Sequence, residues 1–262
     1  MTMIILLHSS KTMKTPHNLG GHVQQPELLN KAKELANYLK TLSPAQVAKV
    51  MQISAQLAEK TSQTIANWDT APAHQSLAID SFVGDIYSGL QASQLHAADR
   101  TYANQNLRIL SGLYGILKPL DAICPYRLEM GYRLPDVPYQ NLYQFWGDRI
   151  ARTLPDEGWI INLTAVEYAK TITPFVDNQR IITPRFLTFN PQTKQTTFVV
   201  VHAKVARGAF AHWMIKHRVE DVNDLHKFND LGYTYEPTLS TAGEPAFVCH
   251  EFGGLGLSVR LK

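Results

Sequence analysis

Five apolar side chains in a row, Met3-Ile-Ile-Leu-Leu7, followed at once by His8-Ser-Ser-Lys11, constrain this chain more than any other feature. An unbroken apolar run of that length reads as a strand buried in a core. It is far too short to span a bilayer, as is the other strongly apolar run, Phe198 to Val201. The material for a core is present: 262 residues, 45% hydrophobic and 10% aromatic, with 18% charged. That composition excludes disorder over most of the length.

Further along, Pro26 starts a helix whose Leu28, Leu29, Ala32, Leu35, Ala36 and Leu39 share one face. Ser43-Pro-Ala-Gln46 is a capping box with Pro at the first helical position. The helical pattern runs on from Ser54 to Trp68. Leu77 to Val83 reads as a strand, Tyr102 to Leu110 as a helix, and Leu142 to Leu154 as an amphipathic helix. Trp159 to Leu163 is a strand, followed by a short helix from Ala165 to Lys170. Arg180 to Phe189 and Gln195 to His202 form a hairpin, a helix covers Ala203 to Arg218, and Tyr233 to Tyr235 pairs with Phe247 to His250. Helices and strands do not alternate strictly. The pattern predicts one α/β or α+β domain over residues 1–262, with a mixed sheet flanked by helices and neither a Rossmann fold nor a TIM barrel.

The net charge is only +3, so an all-over basic coat is excluded and a local basic cleft is not. The N-terminus lacks the basic region and cleavage site of a signal peptide, and two cysteines without a CxxC spacing fit a reducing compartment. A cytoplasmic monomer is expected, with no membrane partner, no cofactor and no metal. Cys124 and Cys249 are expected to be free, structural thiols, because no cation flanks either. No phosphate-cradling GxxxxGK[ST], zinc-type HExxH or nucleophile-elbow GxSxG occurs.

Three constellations remain. The first is Leu107 to Asp121, in which Gly112-Leu-Tyr-Gly115 joins two predicted helical stretches, with Arg108 before it and Lys118 after it. Its backbone N–H groups could meet a phosphate, or the glycines could simply serve an αα-corner. The second is His202 to Arg218, seventeen residues without an acid, in which Lys204 and Arg207 are three apart. These cations could grip a polyanion, or line a solvated helix face whose Lys216 and Arg218 complement the helix dipole. The third is Pro125-Tyr-Arg-Leu-Glu-Met-Gly131 with Leu142-Tyr-Gln-Phe-Trp-Gly-Asp148. Here Arg127 could pair with Glu129, and the aromatics could stack on a base or fill a core. Lys11, just past the first strand, is a weaker candidate for phosphate contact or base chemistry.

Several of these words occur in order in the YaaA family of bacterial peroxide-stress proteins, which the chain resembles over nearly its whole length. They include Lys11-Thr12, Pro26-Glu-Leu-Leu29, Gly84-Asp-Ile-Tyr-Ser-Gly-Leu90, Leu107 to Gly115, Pro119-Leu-Asp121, Pro125 to Gly131, Leu142 to Asp148, Glu167-Tyr168 and Ala206-Arg-Gly208. The resemblance implies a single-domain α/β fold with a positively charged cleft and a helix-hairpin-helix element. It also implies resistance to hydrogen peroxide and DNA binding linked to repair, with no established reaction. On that footing the hairpin is placed at Gly112 to Gly115. The DNA contacts are placed at Lys11, Arg108, Gly112, Gly115, Lys118, Arg127, Lys204 and Arg207. The tail Phe252 to Lys262 matches none of the family's words.

Two functional classes follow. One is a protein that grips duplex or distorted DNA in a basic cleft and shields it from oxidative damage. The other is an enzyme on nucleic acid or a nucleotide, using Lys11 with Glu129, Asp148 or Glu167. Convergence of Lys11 with one of those carboxylates would favour the enzyme. An iron-sequestering protein would need a His and carboxylate cluster that the sequence does not announce. Lys11, Arg127, Lys204 and Arg207 are expected on one concave surface.

Overall fold

A computed structural model describes residues 3–15, 24–135 and 139–254. Most of the tail beyond Phe252 therefore lies outside the described residues. The strands that position the site are β1 (Met3–His8), β2 (Leu107–Ser111), β3 (Gly115–Leu117), β4 (Trp159–Asn162), β5 (Ile181–Ile182), β6 (Arg185–Asn190), β7 (Gln195–Thr197), β8 (Tyr233–Tyr235) and β9 (Ala246–Cys249). The helices are α1 (Leu29–Leu39), α2 (Pro44–Met51), α3 (Ala55–Ala66), α4 (Asp85–Leu90), α5 (Ala97–Asn106), α6 (Leu142–Trp146), α7 (Val166–Ala169) and α8 (Val200–His217).

The larger sheet runs β3-β2-β1-β4-β5. β1 lies at its centre, parallel to β2 on one side and β4 on the other, with Ile5 level with Leu107 and Ile161. Every residue of β1 is buried, as the uninterrupted apolar run requires of a central parallel strand. From β1 the chain passes to the β2 side, and from β4 it passes away to β5. The carboxyl ends of β1 and β4 thus flank a point where the connections diverge, the usual place for a site in an open α/β sheet. The smaller sheet runs β7-β6-β9-β8, and the expected pairing of β8 with β9 is present and antiparallel.

Helix α8 packs against β1 and β6, between the two sheets. Its Phe210 joins Phe186, Phe228, Tyr233 and Phe247 in a buried aromatic cluster, each contact of this kind adding about 0.5–1.5 kcal/mol beyond area burial. The crossing of α8 with α4 is unusually close. A Cβ on Gly208 would lie 1.8 Å from the Ile86 carbonyl oxygen, and one on Gly89 would lie 2.0 Å from that of Val205. Two glycines therefore set the depth of α8 in the molecule.

Four expectations are corrected. Gly112 to Gly115 is a turn between the antiparallel strands β2 and β3, not a link between helices. Its flanks are buried among neighbouring strands, so pairing prevails over the helical reading of Leu107 to Leu110. Two helices joined by a tight turn do occur at α2 and α3, where Gln52 is left-handed (φ 53°) and Ser54 caps α3. Leu77 to Val83 is not one strand: Ser76–Leu77 pairs with Ala122–Ile123, a helical turn follows, and Phe82–Val83 pairs with Thr12–Met13. The helix from Leu142 stops at Trp146, because Gly147 turns to φ +53°. Finally, α8 begins at Val200, since β7 is an exposed edge strand with nothing to hold Phe198 to Val201 in the sheet.

Candidate functional site

The polar residues that end β1 are drawn back into the fold. The Ser9 N–H continues the β2 ladder to Leu110 at 2.8 Å, and the Ser10 hydroxyl donates to the Val83 carbonyl. His8 stays 8% exposed, its ring stacked on Tyr168 at 4.7 Å between centroids. The backbone N–H of Ala165, just past β4, donates to His8 Nδ1 at 3.2 Å, and the Tyr87 hydroxyl donates to the His8 carbonyl at 3.0 Å. Burial pushes the imidazole down to about 3, and the nearby Arg207 and Lys204 act in the same direction. His8 is therefore a neutral ring at the junction of β1, β4, α4 and α8.

Lys11 lies three residues on. Its ammonium pairs with Glu129 Oε2 at 3.0 Å, a contact that raises the amine above its ordinary value. Arg127 Nη1 donates to the Lys11 carbonyl at 3.2 Å, so the loop Pro125 to Gly131 is tied to the end of β1. The expected Arg127–Glu129 pair is not formed; Glu129 goes to Lys11. The Arg127 Nε is buried without a hydrogen-bond partner among the described residues. Glu167 sits in the first turn of α7, with its carboxylate against Gly131, where a Cβ would lie 3.0 Å from Oε2. Burial, and then the Glu129 carboxylate, push Glu167 up, while Lys11 and Lys204 oppose them. Tyr132 is raised in the same way, by burial and then Glu129.

Lys204 and Arg207, both half-buried, occupy successive turns of α8. Neither forms an ion pair within the described residues. Burial lowers Arg207, which has no carboxylate to offset it. The cluster thus holds four cations, Lys11, Arg127, Lys204 and Arg207, against two carboxylates, Glu129 and Glu167. It offers donors for an anion and a Lys–Glu–Glu group suited to proton transfer.

Arg108 and Asp148 have other duties. Arg108 Nη1 donates to the carbonyls of Asn104, Gln105 and Leu107, closing the C-terminal end of α5. Asp121 Oδ2 accepts the Lys118 backbone N–H at 2.7 Å, and its burial pushes the carboxyl up. Asp148 pairs with Arg152 at 2.6 Å, one helical turn on. The Gly112–Gly115 turn is buried. A Cβ on Gly112 would lie 2.4 Å from the Leu128 carbonyl oxygen, and Gly115 (φ +72°) sits under the Trp146 ring. The Tyr114 N–H is taken by Ser111 Oγ.

Sequence reading passed over His8 as a member of the cluster, and met Ser9 only beside Lys11 and Tyr168 only within a family word. The available signal was a histidine ending the most apolar strand. Both cysteines are buried free thiols, Cys124 pushed up to about 11 by burial. A cavity of about 510 Å³ lies elsewhere, beside Lys40, Asp69, His74 and Cys124. Among the described residues, no group of three His, Cys, Asp or Glu is arranged to hold a metal ion. No helix there is long and apolar enough to cross a membrane.

Against known proteins, residues 3–239 match the family described as peroxide stress protein YaaA. A UPF0246 protein of Salinispora tropica is 59% identical over 258 residues, covering 98% of both chains. A UPF0246 protein of Marinomonas sp. is 40% identical over 85% of this chain and 87% of its own. One from Burkholderia lata is 38% identical over 91% and 95%.

Proposed function

This chain belongs to the peroxide stress protein YaaA family, and on that premise we propose that it protects DNA by holding the sugar–phosphate backbone in a basic cleft formed by Lys11, Arg127, Lys204 and Arg207. The observation that carries this reading is the state of Lys204 and Arg207. Both are half-buried on a helix and form no ion pair among the described residues, an arrangement that a phosphate oxygen would complete. Affinity would come largely from counterion release and depend little on base sequence. We assign the family's helical hairpin to α2 and α3. Support comes from the left-handed Gln52 and the Ser54 cap that join them.

The test is a titration of labelled duplex at several salt concentrations. Contact with about four to six phosphates gives a log–log slope of about −3.6 to −5.4. Changing Lys204 and Arg207 together to Ala is expected to reduce that slope by about 2 and to weaken all sequences alike. An unchanged slope in a folded double variant removes α8 from the DNA site.

The convergence of Lys11, Glu129 and Glu167 favours a second reading, acid–base chemistry on the bound nucleic acid. Glu167, raised by burial and by Glu129, is the candidate proton carrier. If the cleft turns DNA over, Glu167→Gln is expected to abolish product while leaving duplex affinity intact. Absence of any altered strand or released base with the wild-type protein rejects this reading and leaves binding.

A further inference from the structure

We propose that His8, as a neutral hydrogen-bond donor through Nε2–H, completes with Lys204 and Arg207 a subsite for one phosphoryl group at the carboxyl ends of β1 and β4. The inference deepens the reading of the cleft as a phosphate-binding surface and rests on it.

The argument begins with the tautomer. A backbone N–H can only donate, and that of Ala165 points at His8 Nδ1 from 3.2 Å. Nδ1 must therefore be the bare, accepting nitrogen, and the ring's single proton sits on Nε2. A second proton on Nδ1 would face the Ala165 N–H head-on. The same site also disfavours a cation electrostatically, since Arg207 and Lys204 both oppose protonation.

The donor is also held in place and left unused. The ring stacks on Tyr168, whose hydroxyl lies 3.3 Å from Ser9 Oγ, and the His8 carbonyl is held by Tyr87. No described residue accepts from Nε2. The groups that bear on the ring come from every element around it: Tyr87 from α4, Tyr168 from α7, and Lys204 and Arg207 from α8. Two carboxylates lie within electrostatic reach: after burial, Glu129 and Glu167 both raise the Tyr168 hydroxyl, and Lys204 as well as Lys11 opposes the rise of Glu167. Neither pairs with Lys204 or Arg207 among the described residues. A rigid N–H donor beside two cations that form no ion pair among the described residues suits a phosphate oxygen, and its neutrality keeps the site constant across physiological pH. The phosphoryl group could belong to a strand backbone or to a strand end, since both present the same oxygens.

Two measurements test this without depending on one variant. In ¹⁵N-histidine spectra of the wild-type protein, His8 is expected as the Nε2–H tautomer from pH 5.5 to 8. Its Nε2 resonance should shift saturably with inorganic phosphate and not with chloride at equal ionic strength. An Nδ1–H tautomer, an imidazolium at pH 6, or no phosphate-dependent shift overturns the proposal. The second measurement is duplex binding by His8→Phe, which retains the stacking ring. Loss of one hydrogen bond to a charged group should weaken binding about tenfold. The salt slope should stay unchanged, because a neutral donor releases no counterion. A slope reduced like that of the Lys204 and Arg207 double variant would mean that His8 acts as a cation or through the fold, and overturns the assignment. Unchanged affinity also overturns it. If wild type takes phosphate but no duplex, the DNA reading fails and the subsite stands. Duplexes with and without a 5′-phosphate separate the sources: tighter binding of the phosphorylated end marks a terminal group, equal binding a backbone one.

Discussion

The two ends of α8 carry the same kind of charge and use it in opposite ways. Near its C-terminus, Lys216 and Arg218 both pair with Asp99 of α5, each at 2.8 Å, and Arg218 also lies over the Tyr102 ring. Those charges are neutralised within the fold, and the Asp99 carboxyl is held well below its usual range, first by Lys216. Nearer the N-terminus, Lys204 and Arg207 have no such partner among the described residues and lie beside the neutral His8. The contrast teaches that a basic helix is not evidence of a binding surface until the internal partners of each cation are known. Arg108 makes the same point, because its guanidinium is used up on the carbonyls that end α5.

The comparison can be broken most completely at the α8–α4 crossing. Gly208→Ala would drive a methyl group into the Ile86 carbonyl, for which about 3 kcal/mol is a fair scale for overpacking. Denaturant melts should show that loss, and DNA binding should fall with it as Lys204 and Arg207 leave their positions. Next in size is the split between the two ends. At 0.1 M salt, losing two phosphate contacts at Lys204 and Arg207 removes a counterion-release contribution of about 100-fold in affinity, referred to 1 M salt. Changing Lys216 and Arg218 to Ala should instead lower the melting temperature and leave the salt slope alone. A changed slope there would erase the distinction between the two ends.

Acid titration sharpens the contrast further. The folded His8 value of about 3 lies below its ordinary 6.5, so between those values the unfolded chain takes up a proton that the native state refuses. Stability should fall by about 1.4 kcal/mol for each pH unit below 6.5, and His8→Phe should remove that slope. Asp99 contributes at lower pH: its stabilisation is complete above the ordinary carboxylate value and is lost as pH falls toward its depressed folded value. Urea melts at a series of pH values would resolve the two. The smallest effect belongs to Asp148, whose exposed pair with Arg152 is an i,i+4 contact. Asp148→Asn should change stability by no more than about 0.5 kcal/mol and leave DNA binding unaltered.

Local chemistry made parts of the molecule readable in advance. The apolar run of β1, the Ser43 capping box and the pairing of β8 with β9 follow from neighbours in sequence, and each is present. The ordered family words placed the chain in its family, and they contained Lys11, Arg127, Glu129, Glu167 and Arg207, with Lys204 just outside them. Long-range pairing decided the rest. Whether Leu107 to Leu117 became helices or a hairpin depended on β1 lying beside it. Whether Glu129 met Arg127 or Lys11 depended on where the loop Pro125 to Gly131 was tied down. His8 is kept neutral by burial beside Arg207 and Lys204, and its tautomer is set by the Ala165 N–H, 157 positions away in the chain. Periodicity and capping act over a few residues and are written in the sequence. Burial, partner choice and protonation depend on which distant segments meet, and the tertiary structure alone determines that.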